Sequence, residues 1–303
     1  HDNLDTFYIG EGFIRDYFFR NIKTDVMVMT MPDLDNYQIK RSINKIHYVY
    51  VQHSLVSLHM VYRTGAFDHY DTICAAGPHH VNELQKIIQN RKLASKNIVK
   101  LGYSKFDSIS ENKHIRNIPP QSGKDFKTIL IAPSWGANGL IETGAVFPLI
   151  EQLVNLEYNI ILRPHPETIK TNRRKFSELT RRYGKKPNFQ IEYDVGSQDS
   201  FYISDIMIGD WSGAAIEYAL ALNKPVIFCD VPRKINNPGY EKIDCEPIEV
   251  TLREKTGVIW DMEQPIIHAL QECKAIDPET LSDLANAYVY NISNSDMVFL
   301  KTL

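Results

Sequence analysis

Short apolar runs alternate with helix-period stretches along most of the chain. Val26 to Thr30 (VMVMT) predicts a short buried strand, and Ile46 to Gln52, Tyr70 to Ala75 and Ile98 to Leu101 predict three more. Between them, Phe7 to Arg20 has the spacing of an aromatic-rich amphipathic helix and His80 to Asn90 that of a second helix. Residues 107 to 126 then break the pattern: they are polar, with Pro119-Pro120 and Gly123, and are expected to link two domains. The same order restarts with a strand at Thr128 to Ala132, a helix at Pro148 to Leu156, a strand at Asn159 to Arg163 and a helix at Lys175 to Tyr183. Helices at Pro265 to Cys273 and Leu281 to Tyr290 close the chain.

Strand, loop, helix and strand in repeated order is the pattern of a doubly wound parallel sheet. Its occurrence on both sides of a linker predicts an α/β protein of two Rossmann-like domains facing a central cleft. Residues 1–124 would form the first domain, 125–280 the second, and 281–303 a terminal helix packing back on the first. Neither half carries G-x-G-x-x-G, which argues against a dinucleotide enzyme.

The stretch from Ser204 to Phe228, SDIMIGDWSGAAIEYALALNKPVIF, organises the second half. It predicts a strand (Asp205 to Ile208), a polar turn (Gly209 to Gly213), a helix (Ala214 to Leu222) and a strand (Pro225 to Phe228). Ligands of open α/β sheets gather at the carboxyl ends of strands, where a helix N-terminus offers unpaired amides to a phosphate. Ser212 brings a small hydroxyl to that position, and Gly213 lets backbone approach an anion. An ordinary helix cap by Asp210 or Ser212 explains the same residues without a ligand.

Composition narrows the classes. The chain has 303 residues, 43% hydrophobic and 23% charged, enough for two domains with separate cores. A net charge of −3 gives no basic field for nucleic acid. Four dispersed cysteines without C-x-x-C spacing suggest a reduced cytoplasmic protein with no structural zinc. There is no run of 18 apolar residues to span a membrane, and no signal peptide is visible; a start at His1 rather than Met suggests a trimmed chain.

Three further loops fall at predicted strand ends: His53-Ser54, Ser134-Trp135-Gly136 and Arg163-Pro164-His165-Pro166. Histidine can accept or donate a proton near neutrality. At His165 the flanking prolines fix the backbone, and Arg163 adds a planar charge suited to phosphate oxygens. Either histidine equally suits a structural strand end. Trp211 offers a face to a base or sugar, or packs within its own domain. Lys170 to Lys186 reads first as a solvated helix face and second as a surface for an anionic membrane or polyphosphate acceptor. Arg233, Lys234 and Asn236-Asn237 could form a mobile lid over a donor, or a plain surface loop.

The order of these motifs carries a resemblance. APSW at Ala132 to Trp135, RPHP at Arg163 to Pro166 and the stretch from Ser204 to Phe228 resemble the CDP-glycerol glycerophosphotransferase family, which makes teichoic acids and similar capsule polymers. Upstream, His53-Ser54-Leu55 aligns with that family's HGT, and Gly102 to Asp107 (GYSKFD) with its GYPRND. The chain departs from the pattern at Ser54, where the family has Gly, and at Lys105, where it has Arg. Gly213 stands in place of the second Ser of a TDYSS-type turn, and Glu217 in place of a later Asp.

The resemblance implies a GT-B fold and a cytoplasmic, membrane-peripheral transferase that needs no metal or other cofactor. It would move a polyol phosphate from a CDP-activated donor such as CDP-glycerol to a glycan or lipid-linked polymer acceptor, at the inner membrane face. It implies His53 as general base, with His165 the second catalytic histidine. Ser134, Arg163, His165, Asp210, Ser212, Gly213 and Glu217 would hold the donor, and Ser54, Arg63 and Lys105 would serve the acceptor or a secondary role. A glycosyltransferase using a CMP-, UDP- or GDP-sugar, and a catalytically silent nucleotide- or glycan-binding module, are the rival readings.

Overall fold

A computed structural model describes residues 5–116, 125–194 and 196–302. It contains two parallel sheets, each flanked by helices, around a cleft. The N-lobe runs α1 (Phe13–Asn21), β1 (Val26–Met29), β2 (His47–Tyr50), β3 (Thr72–Ala75), α2 (Pro78–Arg91), β4 (Asn97–Lys100) and α3 (Ser104–Ile115). Its strands lie in the order β1-β2-β3-β4.

The C-lobe holds β5 (Thr128–Ile131), α4 (Leu140–Thr143), α5 (Val146–Asn155), β6 (Asn159–Leu162), α6 (Pro166–Thr171), α7 (Arg173–Tyr183) and β7 (Phe189–Ile191). It continues with α8 (Asp199–Ile203), β8 (Ile206–Gly209), α9 (Gly213–Leu222), β9 (Val226–Cys229), α10 (Ile248–Thr256), β10 (Gly257–Trp260) and α11 (Ile266–Cys273). The strand order β10-β9-β8-β5-β6-β7 reverses direction at β5 and β8. That switch point is where such sheets open a ligand crevice. The helices α12 (Pro278–Tyr288) and α13 (Ser295–Thr302) end the chain.

The strands form because four-residue apolar runs are covered on both faces; β3, β8 and β9 are buried at every position. By contrast β1 lies at the sheet edge with Val26 and Val28 exposed, so the buried strand expected there is an edge strand. The expected first helix is shorter, and α1 buries none of its residues. The expected linker is helical over its first part, as α3, because Phe106 and Ile109 find a buried face; Pro119-Pro120 and Gly123 lie outside the described residues.

The lobes also share a core, where separate cores were expected. Apolar residues of α9 pack with Leu55, Tyr103, Phe106 and Ile109 of the N-lobe and with Ala285 and Val289 of α12 and its end. Because α9 is apolar on every face but for Glu217, which is paired with Tyr103 and Lys105, it can be buried by both lobes at once. Beyond α12 the chain is fastened to the N-lobe: the Tyr290 amide donates to the Ala76 carbonyl at 2.8 Å and the Asn291 amide group to Lys100 and Leu101 carbonyls. The Ser293 amide donates to Asp107 at 2.8 Å.

Candidate functional site

Loops at the carboxyl ends of the strands enclose a cavity of about 530 Å³ between the lobes. Asp33, His53, Ser54, Tyr62, Arg63 and Lys105 line it from the N-lobe. Ser134, Trp135, His165, Ser212, Gly213, Glu217 and Lys234 line it from the C-lobe. A smaller pocket of about 190 Å³ adjoins it, between residues 134–139 and 231–236, with Trp135 and Lys234 in both walls.

His53 stands just beyond β2, with Tyr50 Oη 3.2 Å from Nδ1 and Tyr62 Oη 3.4 Å from Nε2. The Tyr62 ring meets the imidazole edge-on at 5.8 Å. Solvent reaches His53 along the cleft, yet the surrounding protein lowers its pKa below the ordinary value by desolvation. The Thr30 carbonyl and Glu217 oppose that shift, and Lys105 adds to it. The result is an imidazole that stays neutral at neutral pH and keeps a lone pair for a proton.

His165 faces it from the C-lobe at the start of α6. Its Nδ1 accepts the Glu167 amide at 3.2 Å, which leaves the proton of a neutral ring on Nε2. Burial, and then the Lys234 cation, push its pKa down to about 4. His165 is therefore a neutral hydrogen-bond donor at physiological pH rather than an acid. Trp135 lies 5.7 Å from it, ring to ring, and carries Lys234 Nζ 4.7 Å above its own ring.

Ser212 caps α9, its Oγ accepting the Ala214 amide at 3.3 Å, so the hydroxyl proton is left to donate. Glu217, one turn further on, is 1% exposed and bound from the N-lobe by Tyr103 Oη at 2.9 Å and Lys105 Nζ at 2.7 Å. Glu217 therefore joins the lobes at the cavity floor, and its negative charge is already matched by a cation.

Two of the predicted donor residues are turned elsewhere. The Arg163 guanidinium is committed to Glu192 at 2.9 Å, the Ser197 carbonyl at 2.7 Å and Ser200 Oγ at 3.1 Å, and lies over the Phe201 ring. Asp210 is buried and accepts the Ser134 amide at 2.7 Å. Its carboxyl is raised by burial, against the pull of Ser134 and Lys234. Asp210 thus shapes the 134–139 loop from behind. Trp211 packs within its own lobe, donating Nε1 to the Val231 carbonyl at 2.8 Å beneath the Arg253 guanidinium.

The segment read as a mobile lid is a fixed crossing between lobes. The Asn236 and Asn237 amides donate to the Met60 carbonyl, and the Asn237 side chain to the His59 carbonyl at 2.8 Å. This crossing brings Lys234, which the sequence reading named only as part of a possible lid or surface loop, into the cavity wall, beside residues far away in sequence. Asp33, Tyr62 and Trp135 were missed as site residues, although Trp135 sits inside a motif already noted. Among the described residues no helix is long and apolar enough to cross a membrane, and no three His, Cys, Asp or Glu side chains form a metal-holding group.

Comparison with known proteins adds a family and a fold. The profile of the family described as CDP-Glycerol:Poly(glycerophosphate) glycerophosphotransferase matches residues 59–234, more than half of the chain. Among solved structures, the UDP-GlcNAc 2-epimerase of Methanocaldococcus jannaschii, crystallised with UDP-GlcNAc and UDP, superposes with a TM-score of 0.55 at 15% identity, over 85% of this chain and 69% of the epimerase. MurG of Acinetobacter baumannii superposes with a TM-score of 0.39 at 11% identity, over 85% of this chain and 67% of its own. No curated protein matches the chain. At 15% identity the likeness to the epimerase is one of fold, and the fold is GT-B.

Proposed function

Because the chain belongs to the CDP-glycerol:poly(glycerophosphate) glycerophosphotransferase family, we propose that its cleft transfers a polyol phosphate from a CDP-activated donor to a hydroxyl of a glycan or polymer acceptor, releasing CMP. The observation that carries this reading is the pairing across one cavity of two neutral histidines with different hydrogen-bonding capacity. His53, held between two tyrosine hydroxyls, can accept a proton; His165, acceptor at Nδ1, can only donate from Nε2.

The chemistry balances with these groups. The acceptor oxygen attacks the phosphorus that carries the polyol, and its proton passes to His53. An oxygen–phosphorus bond forms, the bridging phosphorus–oxygen bond breaks, and its electron pair leaves on CMP. In this reading the charge on the leaving group is met by His165 Nε2–H and the Ser212 hydroxyl, since the Ala214 and Ala215 amides of α9 are already given to Ser212. Ser134 lines the same wall. Arg163 and Asp210 enter this reading as residues that position loops. A role at the membrane face belongs to the same proposal, through the acceptor it implies.

A nucleotide-sugar donor is the second reading. It keeps the fold and the cleft and changes the bond formed, and the epimerase structure with UDP-GlcNAc bound gives the reason to test it. Thermal melts with CDP, CMP, UDP, GDP and ADP at equal concentration, followed by assay of CMP release from CDP-glycerol, separate the two, since a ligand of the folded state raises its apparent stability. Stabilisation by CDP or CMP with CMP release is the expected result. Stabilisation by UDP or GDP alone transfers the case to the sugar donor.

A further inference from the structure

Three Lys and Arg side chains line the cavity between the lobes: Arg63, Lys105 and Lys234. Two of them are already matched, Arg63 Nη1 facing Asp33 Oδ2 at 3.6 Å and Lys105 Nζ meeting Glu217 Oε2 at 2.7 Å. Lys234 has no such partner. Among the described residues no hydrogen bond or ion pair holds its ammonium, which stands 4.7 Å above the Trp135 ring. Asp210, Glu142 and Glu249 act on it only as more distant charges. Loss of solvation lowers its pKa below the ordinary lysine value, against the pull of those three carboxyl groups. The side chain is half-buried and still opens onto the cavity.

Both lobes set where Lys234 stands. Before it, the Val231 carbonyl accepts Trp211 Nε1 at 2.8 Å in the C-lobe. After it, the chain is fastened to the N-lobe: the Asn236 and Asn237 amides donate to the Met60 carbonyl, and the Asn236 side chain to the Val61 carbonyl at 2.7 Å. Thr64 Oγ1 donates to Asn237 Oδ1 at 2.6 Å. The short span between these ties keeps the ammonium where the larger and smaller cavities meet, since Trp135 and Lys234 belong to the walls of both. His165 and Ser212 line the larger cavity with neutral donors only. Neutral donors do not offset the charge of a diphosphate taken out of water, whereas a cation without a protein partner does.

We propose that Lys234 is the cation of the donor site, its ammonium pairing with the diphosphate of the nucleotide-activated donor while His165 and Ser212 supply neutral hydrogen bonds to the same group. The Trp135 ring carries the ammonium until the ligand arrives, and the crossing tied to the N-lobe delivers it to a site otherwise built from the C-lobe. The inference rests on the transferase reading for the place of the diphosphate in the reaction, but not for the base, because CDP- and UDP-linked donors present the same group. Lys234 also acts on His165 in the empty site: after burial it is the largest influence holding that imidazole at about 4, with Glu167 opposing and Lys170 adding. That gives the ammonium a signature that needs no ligand.

The probes are CDP and inorganic pyrophosphate, titrated by calorimetry into the full chain as wild type, Lys234→Met and Lys234→Arg. Methionine keeps the length and the contact with Trp135 and removes the charge; arginine restores a cation that stacks on an aromatic ring. Wild type should bind both probes. Lys234→Met should weaken each on the order of tenfold or more, as for loss of a charge-assisted hydrogen bond, and Lys234→Arg should recover most of that loss. In ligand-free Lys234→Met the His165 pKa, followed by NMR, should rise from about 4 toward the ordinary histidine value. No binding of either probe to wild type, binding untouched by Lys234→Met, a Lys234→Arg variant as weak as Lys234→Met, or an unmoved His165 pKa would each overturn the assignment. Preference for UDP over CDP, or no CMP release from CDP-glycerol, with the same dependence on Lys234 would leave the assignment standing and remove the proposed transfer reaction.

Discussion

Ser54 and Gly213 touch across the cleft. A Cβ at position 213 would fall inside van der Waals contact of Ser54 Oγ and 2.9 Å from Val56 Cγ1. These are two of the positions at which the chain departs from the motifs it otherwise resembles, and the structure makes them one feature: the side chain absent from the α9 turn leaves the room that the Ser54 hydroxyl fills.

Gly213→Ser should therefore force the lobes apart or distort the turn, at a cost of about 1–3 kcal/mol typical of overpacking. Adding Ser54→Gly to the same chain should recover most of that loss. Thermal melts of both singles and the double give the coupling directly; additive effects would show that the contact constrains nothing.

The two tyrosines that bracket His53 should matter to rate rather than to donor binding. Tyr50→Phe and Tyr62→Phe each release one imidazole nitrogen, and transfer should slow roughly tenfold as the ring loses its orientation, with CDP affinity unchanged by titration. His53→Ala should abolish transfer with the same affinity retained. Equal losses of rate and CDP affinity would instead put His53 among the donor contacts.

Lys105 depresses the His53 pKa and also neutralises Glu217, which raises it. Lys105→Met should thus move the acid limb of the transfer rate to higher pH, because His53 becomes protonated sooner as pH falls. In wild type that limb lies below the ordinary histidine value. A profile of kcat/KM against pH, with stability checked at each point, measures the shift; an unmoved limb would exclude His53 as the titrating base.

Glu249 lies buried where α10 meets the N-lobe, accepting the Ser57 amide at 2.9 Å and the Ser57 hydroxyl at 3.2 Å. Burial first, with the nearby Glu83 charge adding, pushes its carboxyl up to about 7 from an ordinary 4.5. The folded state then binds more protons than the unfolded one between these values. The stabilising contribution is full below pH 4.5 and is lost as pH rises through about 7. Glu249→Gln keeps an oxygen for Ser57 and has no charge to bury. Its melting temperature should gain on wild type as pH rises from 4.5 to 7.5, with the gap corresponding to on the order of 3 kcal/mol at most. A constant gap would mean that Glu249 is ionised throughout.

Much of the architecture was legible in the chain. Apolar runs of four residues, each followed by a polar loop, were enough to give two parallel sheets and the side on which their loops gather, since buried parallel strands need continuous apolar sequence. The ends of those runs also marked His53, Ser134, His165 and Ser212, all of which meet in one cavity. Elements without such a pattern were not legible: β7 is three residues long, and β10 follows α10 with no intervening loop, Gly257 both ending the helix and starting the strand. Tertiary packing alone decided that α9 would be shared by both lobes, that Arg163 would pair with Glu192, and that the crossing near Asn237 would be held to the Met60 carbonyl and deliver Lys234 to the cavity. The sequence determines which segments can be buried and what chemistry their ends carry, because burial and periodicity are local. Which end groups meet depends on contacts between residues a hundred or more positions apart, and only the folded chain supplies those.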